Sequence, residues 1–361
     1  MASLSVEERL ALIQQVGEEL IGEEELTELL KEKRSFVAYD GFEPSGRIHI
    51  AQAVLRAINV NRMTKAGAQF TMFVADWHAW ANNKLGGDLE KIQTTGKYFI
   101  EVWKASGMDL KNVKFVWASD LVKDDAYWKL VMKVATATTL KRVLRTTQIM
   151  GRSENDSLQA SQILYPCMQA ADIFYLKADV CQLGMDQRKV NVLAREIAEK
   201  LGFAKPVIVS HHMLMGLSEP PKEVADAVER AIAMKMSKSK PDTAIFVDDS
   251  AEEVVRKLKK AYCPEGEANE NPVLEYCKYI IFALNDTLTV DRPEKFGGNV
   301  TYASYADLEA AFVEKKLHPM DLKAATARAV NEILEPIREH FANDEEAKRL
   351  KELVESYQVT R

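Results

Sequence analysis

Two short strings in this chain carry residues that could act on a polyphosphate. Lys235-Met-Ser237-Lys238-Ser239 places two ammonium groups three residues apart, beside a hydroxyl and just before Lys240-Pro241. Cations on a loop can neutralise charge that develops as a pyrophosphate group departs, which is electrostatic stabilisation rather than proton transfer. Taken alone, such a run is more often a solvated basic loop, and no Gly-rich phosphate loop accompanies it. The second string is Phe42-Glu-Pro-Ser45-Gly-Arg47-Ile-His49-Ile-Ala-Gln52. It falls at a strand-to-helix turn, where a helix N-terminus offers N–H groups to an anion, so Ser45 and His49 are placed to donate to phosphate oxygens. A single His near a helix start is otherwise more simply a cap or a surface residue.

Positioning these strings requires a particular order of elements. Residues 35–42 read as a buried strand, ended by the turn residues Glu43 to Gly46. A helix then begins near Ile48, with Ile50, Val54, Ala57, Ile58 and Val60 on its apolar face, and a second strand follows at 69–76. The alternation continues with a helix over 89–106, a strand at 113–118, helices through the middle, a short strand at 179–182, a helix over 187–201 and a strand at 206–210. Strand, helix and parallel strand repeated in this way predict an α/β fold: a Rossmann-type, doubly wound, mostly parallel sheet. Residues 5–31 carry an amphipathic helical pattern, so residues 1–34 are expected to form a helical extension. Beyond Asp249 the strand signals fade, and 250–263, 272–285, 304–316, 319–341 and 344–357 all read as helices, the first opened by a capping box at Ser250-Ala-Glu-Glu253. The expected organisation is therefore an extension over 1–34, a catalytic α/β domain over 35–240 and an all-helical domain over 241–361, with the junction near 241–249.

The chain has 361 residues, 47% of them apolar and 28% charged, which excludes disordered, collagenous and disulfide-scaffold classes. Its net charge of −6 argues against a nucleic-acid partner if read globally. Basic clusters nevertheless stand at Lys141, Arg142, Arg145 and Arg152 and at Arg256, Lys257, Lys259 and Lys260. Each, taken alone, reads more simply as a solvated helix face. No window offers an uncharged apolar span of about 20 residues, and the N-terminus has no apolar signal core, so no membrane association and a cytoplasmic location are expected. Cys167, Cys181, Cys263 and Cys277 show no C-x-x-C spacing and read as buried small hydrophobes, so no protein-held metal site is expected.

The strings His49-Ile-Ala-Gln52 and Lys235-Met-Ser-Lys-Ser239 together resemble the paired signatures of class I aminoacyl-tRNA synthetases. Within that class, Ala38-Tyr39-Asp-Gly41-Phe-Glu-Pro-Ser-Gly46, Leu164-Tyr165-Pro-Cys-Met-Gln169-Ala-Ala-Asp172-Ile and Gly184-Met-Asp186-Gln187-Arg188-Lys189 resemble the tyrosyl-tRNA synthetases of archaeal and eukaryotic cytoplasmic type, over roughly residues 30 to 341. The resemblance implies activation of tyrosine by ATP to tyrosyl-adenylate, and transfer of the tyrosyl group to the 3′-terminal ribose of tRNA(Tyr). It implies ATP binding by Gly41, Ser45, His49, Gln52, Gly184, Asp186, Lys235 and Lys238, with Mg2+ accompanying the nucleotide, and catalysis by His49, Lys235, Ser237 and Lys238. Tyr39 and Asp172 would bind the substrate hydroxyl, and Tyr165, Gln169 and Gln187 its α-ammonium group. Positions 165, 169 and 172 share one helix face, as that pocket requires. Without the resemblance, Tyr165 reads as core packing and Asp172 as a salt-bridge partner within the helix.

In the helical domain, Phe296 in Lys295-Phe-Gly-Gly298 and His318 and Asp321 in Leu317-His-Pro-Met-Asp321 resemble the family's anticodon-reading segments, while Arg145 and Arg188 match positions near the acceptor stem. A ring stacked on an unpaired base is the usual way to read single-stranded RNA, although spacing alone makes His318-Pro319 a helix start. The family further implies a homodimer built on central helices, about 100–180, where apolar Trp103, Trp128, Val131 and Met132 could serve as interface residues, although they read equally well as core. The chain ends soon after the helical segments, so no appended C-terminal RNA-binding module is expected.

Two departures from the family pattern stand out. The first signature ends Ala51-Gln52 where Gly-His is usual, leaving Gln52 to substitute for the second His. Residues 218–234 form an extra stretch, in which Glu219-Pro-Pro221 followed by an Ala-rich helix over Glu223 to Ala233 reads as an inserted hairpin. Three rival readings follow: a tryptophanyl-tRNA synthetase, a catalytically inactive synthetase-like tRNA-binding protein, and a transferase making another adenylate. Tyr39, Asp172 and Gln187 favour tyrosine, and intact Lys235, Ser237 and Lys238 favour catalysis.

Overall fold

The structure, a computed structural model, describes residues 4–151, 157–222, 224, 227–238 and 240–357. Six strands form the main sheet: β1 (Gly17–Ile21), β2 (Phe36–Phe42), β3 (Ala68–Val74), β4 (Val113–Trp117), β5 (Val180–Cys181) and β6 (Val207–His211). Their order is β1-β6-β5-β2-β3-β4. β2 pairs parallel with both β3 and β5, and β6 runs parallel to β5. The chain thus winds outward from β2 through β3 to β4, then returns to the other side through β5 to β6. In doubly wound sheets ligands bind in the crevice at such a reversal of winding. Val207, Ile208 and Val209 are buried, as expected for a parallel strand covered on both faces.

Three strands differ from the sequence reading. Residues 17–21 form an edge strand antiparallel to β6, so the N-terminal segment supplies part of the sheet between the helices Val6–Gln14 and Glu23–Glu32. The C-terminal half is not wholly helical either: β7 (Leu288–Val290) and β8 (Val300–Tyr302) make a small antiparallel hairpin. Ser250 caps the helix Ala251–Lys260 by accepting from the Glu253 amide at 3.2 Å, while the Glu253 carboxylate turns to Arg256 instead of completing the box. In the extra stretch the described residues contain the helix Ala227–Met234 and no strand, and Arg230 ties it to Glu270 and to the Pro221 carbonyl. Glu223 lies outside the described residues.

The junction near residues 241–249 is packed rather than exposed. Ala244, Ile245, Phe246 and Val247 are buried in one apolar core that runs from the sheet into the C-terminal helices. Arg47 is paired with Asp248 and Asp249, and Lys257, almost wholly buried, donates to Asp249 at 2.6 Å and to the Ala244 carbonyl at 2.9 Å. Arg256 pairs with Asp242 and Glu253, so both residues are spent on internal pairing; Lys257 is thus neither part of a solvated helix face nor available to a phosphate. All four cysteines are buried and unpaired. No helix among the described residues is long and apolar enough to cross a membrane.

Arg9 fixes the N-terminal segment to the sheet. Its guanidinium donates to the carbonyls of Ala66, Leu30, Lys33 and Arg34 at 2.7–3.2 Å. Arg9→Ala would orphan several carbonyls, and a loss of about 2–4 kcal/mol is expected in urea unfolding; an unchanged midpoint would contradict the role assigned to Arg9.

Candidate active site

The crevice at the β2/β5 divergence is a cleft of about 700 Å³ whose walls include residues of both signature strings and of the helix Ala160–Tyr175. β2 sends Tyr39 into it, 1% exposed and edge-on to Phe73 with ring centroids 6.0 Å apart. Gly41, two residues on and on the same face, leaves room for that phenol: a Cβ there would stand 3.1 Å from Tyr39 Oη.

Tyr165, Gln169 and Asp172 line the cleft from one face of their helix, as their spacing predicts. Asp172 is wholly buried. Its Oδ1 accepts from Tyr127 Oη at 2.8 Å, and its Oδ2 lies 2.9 Å from His78 Nε2. Burial alone would hold the His78 imidazole neutral, but the Asp172 carboxylate raises its pKa above the ordinary value. Burial, and then Asp172, push the phenols of Tyr39 and Tyr127 well above their usual range, so both stay protonated and able to donate. Sequence reasoning missed His78 and Tyr127. The only local signal was a single His among apolar residues at Asp76-Trp-His-Ala-Trp80, which reads as core.

Beside this pocket, Gln169 Nε2 donates to Gln187 Oε1 at 3.1 Å, and Gln187 Nε2 to the Ile149 carbonyl at 3.0 Å. Gln169 Oε1 is buried without a hydrogen-bond partner among the described residues, an acceptor free for a ligand. Glu43 and Lys84 also line the cleft, 3.7 Å apart, with Asn82 Nδ2 donating to Glu43 Oε1 at 3.0 Å. Both were missed, because neither stands out in composition.

At the other end lie the cations. Lys235 Nζ donates to Asp186 Oδ2 at 2.8 Å, and Lys238 Nζ to Ser45 Oγ at 3.2 Å while standing 4.9 Å from the centre of the Phe99 ring. Burial, reinforced by nearby Lys84 and opposed by Glu43, pushes the Lys238 ammonium down to about 7. His49 is 7% exposed; burial and then the two lysines hold its pKa well below the ordinary value, and Nδ1 has no hydrogen-bond partner among the described residues. A backbone bridge from His49 to Phe246 fixes its position. Gln52 sits in a π-helical turn, Ala51–Leu55, a distortion that recurs at functional sites. Gly184 is needed where it stands, since a Cβ would lie 2.6 Å from Asp186 Oδ1. Ser237 lines the same end, and Ser239 lies outside the described residues.

Part of the cleft wall is a buried network of Asp40, Arg56 and His211 that the sequence did not suggest. Arg56 pairs with Asp40, stacks over Phe42 at 4.6 Å and meets the His211 ring nitrogens at 3.0–3.1 Å, and Gln182 Nε2 is 2.8 Å from His211 Nδ1. Burial lifts Asp40 to about 7 even against its arginine.

The residues expected to meet RNA or a second subunit are scattered. Phe296 is 61% exposed on a turn beneath which Arg292 reaches both the Gly298 and Lys316 carbonyls, linking that turn to the start of the helix Pro319–Asn343. His318 caps that helix, accepting from the Met320 amide at 3.1 Å, and Asp321 occupies its first turn. Arg145 is exposed, but Arg188 is held by Glu19 at 2.7 Å; Arg152 lies outside the described residues. Trp103 is not a surface residue: it is buried against Phe42, Phe99 and Phe115 and donates to the Gln52 carbonyl at 2.9 Å. Val131 is core too, and the Trp128 indole donates to the Val122 carbonyl, leaving Met132, 59% exposed, as the open member of that set.

The profile of the family described as tRNA synthetases class I (W and Y) matches residues 31–335. The chain is 52% identical over 362 residues to the tyrosine–tRNA ligase 1, cytoplasmic, of Arabidopsis thaliana, covering 99% of this chain and 91% of the relative. It superposes on the tyrosyl-tRNA synthetase of Pyrococcus horikoshii complexed with L-tyrosine with a TM-score of 0.90 at 41% identity, covering 97% of this chain and 100% of the other. The Leishmania major tyrosyl-tRNA synthetase in complex with tyrosinol matches with a TM-score of 0.90 at 45% identity, covering 99% of this chain but 61% of the longer protein. The chain therefore belongs to the class I tRNA synthetases of the tryptophan and tyrosine group, on the branch of the plant cytoplasmic and archaeal tyrosine–tRNA ligases.

Proposed function

We propose that this cleft joins tyrosine to ATP and passes the resulting tyrosyl group to tRNA(Tyr). The observation that carries the reading is the cleft's two-ended chemistry: a buried carboxylate and phenol, Asp172 and Tyr39, at one end, and Lys235, Lys238 and His49 at the other. A substrate phenol entering the first end would meet Tyr39 Oη and the remaining lone pairs of Asp172, while an indole offers no hydroxyl to satisfy them. This favours tyrosine over tryptophan. Gln169 Oε1, with Tyr165 and Gln187 around it, suits the α-ammonium group.

In the first step a tyrosine carboxylate oxygen attacks the α-phosphorus of ATP in line, forming the acyl-phosphate bond as the bond to pyrophosphate breaks. Mg2+ enters as part of the Mg–ATP substrate. His49, neutral at pH 7, offers one N–H to a phosphate oxygen rather than a full charge. Lys235 and Lys238 must leave Asp186 and Ser45 to reach the triphosphate, whose charge would restore full protonation at Lys238. Asp186, so released, is free for the ribose, with Gly41, Gly184, Ser45 and Gln52 around the nucleotide. In the second step the terminal ribose hydroxyl of tRNA attacks the acyl carbonyl and AMP departs. No side chain need act as general base, because positioning supplies much of the rate.

Residues 35–240 are read as the catalytic domain and 241–361 as the anticodon-binding domain, where exposed Phe296 stacks on an unpaired base and His318 and Asp321 contact its edge. Arg145 would meet the acceptor stem; Arg188 would do so only on leaving Glu19. A cytoplasmic homodimer built on the central helices, with Met132 at its surface, completes the reading.

Purified protein with Mg–ATP, without tRNA, is expected to exchange pyrophosphate with tyrosine and not with tryptophan or phenylalanine; exchange driven by tryptophan, or none at all, would overturn the assignment. Lys238→Ala should slow activation by about tenfold or more with tyrosine affinity unchanged, and an unchanged rate would remove Lys238 from the mechanism. A lysine depressed from 10.5 to about 7 makes the folded chain bind fewer protons than the unfolded one between those values, so stability rises with pH across that window. In Lys238→Met that rise should be smaller by this group's share; identical pH profiles of unfolding would contradict a depressed Lys238.

A further inference from the structure

Behind the nucleotide end of the cleft, three separate elements converge on His212. The ring's Nδ1 lies 3.3 Å from Glu18 of β1, its Nε2 lies 3.0 Å from Glu275 of the helix Pro272–Tyr276, and Tyr279 stacks on its face with centroids 4.2 Å apart and planes at 15°. Lys278 faces Glu18 and the neutral ring of His211 is the chain neighbour, so the charges around His212 are two carboxylates and one more distant ammonium. Burial alone would discharge His212, but the two carboxylates raise it to about 9, and the ring stays cationic at neutral pH. Nothing in the two-step chemistry uses this cluster.

Its location gives it a task. His212, Met213 and Leu214 line the cleft. The segment they begin is also the track on which the lysine loop is laid: Met215 forms a bridge with Lys235, the Met236 amide donates to the Leu214 carbonyl at 3.1 Å, and the Gly216 amide donates to the Met234 carbonyl at 2.8 Å. On its other edge the same segment is held by Glu275, whose Oε2 accepts from the Met215 amide at 2.9 Å as well as facing His212. One carboxylate from the C-terminal half therefore sets the backbone that carries both the nucleotide wall and the first lysine of the loop.

We propose that Glu275 is a positioning residue for ATP: by accepting the Met215 amide and pairing with His212 it fixes segment 212–216, and with it the nucleotide wall and Lys235, without touching the tyrosine pocket. The inference rests on reading this end of the cleft as the ATP site. Tyr39, Asp172, Gln169 and Tyr165 sit on β2 and the helix Ala160–Tyr175, whereas segment 212–216 makes its contacts with Glu275, Tyr279, the lysine loop and Glu18. Loss of Glu275 leaves the Met215 amide without its acceptor and removes one of the two carboxylates facing the His212 ring, so the segment must rearrange.

The test is calorimetric binding of ATP and of tyrosine, each alone, to wild type, Glu275→Ala and Glu275→Gln. Glu275→Ala is expected to weaken ATP by about tenfold and to leave tyrosine within about twofold, because a hydrogen bond to a charged acceptor is lost on one side of the cleft only. Glu275→Gln keeps an acceptor for the Met215 amide and should recover most of the ATP affinity. If Glu275→Ala does not fold, His212→Phe, which retains the stack on Tyr279, is expected to show the same ATP-selective loss. Equal weakening of both ligands, no weakening, or a glutamine variant no better than alanine would each overturn the positioning role. Failure of the wild type to bind ATP at all would overturn the site reading itself, and the two failures are thereby distinct.

Discussion

Asp172 is a carboxylate with no solvent exposure, and a charge so placed persists only where neighbours are arranged to hold it. Much of the half of the cleft proposed for tyrosine follows from that need. His78 is brought up from the end of β3, Tyr127 from the neighbouring helix Asp125–Ala137, and both converge on the two carboxylate oxygens. The rings of Phe73, His78 and Tyr165 interlock edge to face around them, 5.1–5.7 Å apart. A pocket braced in this way presents a polar end that a ligand must satisfy, which is how an otherwise apolar slot rejects an analogue lacking one hydroxyl.

The end proposed for the nucleotide obeys the opposite rule. Its cations rest on neighbouring groups of the protein in this structure, Lys235 on the Asp186 carboxylate and Lys238 on the Ser45 hydroxyl against the Phe99 ring. Such contacts spare the protein unpaired cations beside a buried histidine, and they are weak enough to be exchanged for a polyphosphate. Rigid recognition at one end and exchangeable charge at the other suit a reaction in which a small amino acid is selected strictly while a highly charged leaving group must come and go.

Legibility in the sequence tracked how local each signal was. β2, β3 and β6 were readable because strands covered on both faces are apolar runs between turn residues, and the edge strand β4 because Val113-Lys-Phe-Val-Trp117 is apolar at four of its five positions. β1 was read as helix because Gly17-Glu-Glu-Leu-Ile21 carries two glutamates on an edge, and β7 and β8 are three residues each, shorter than any periodicity can declare. The face shared by Tyr165, Gln169 and Asp172 was legible from spacing alone, but the substrate contacts assigned to it came from family resemblance. His78, Tyr127, Glu43, Lys84 and the Asp40–Arg56–His211 network were not legible, since each acquires its role from a partner distant in sequence, for Arg56 and His211 155 residues away. The same cause misplaced Trp103, whose apolar size fits a surface patch or a core equally until the Gln52 carbonyl is seen to accept its N–H.

The most direct test of the central role given to Asp172 is the ratio of tyrosine to phenylalanine binding in wild type and in Asp172→Asn, by equilibrium titration. The substitution keeps the volume but removes the charge that Tyr127, His78 and a substrate phenol would share. The ratio is expected to fall by about tenfold or more, as loss of a charged hydrogen-bond acceptor dictates, with ATP binding unchanged. An unaltered ratio would contradict the account, because selection of the hydroxyl would then lie elsewhere in the cleft.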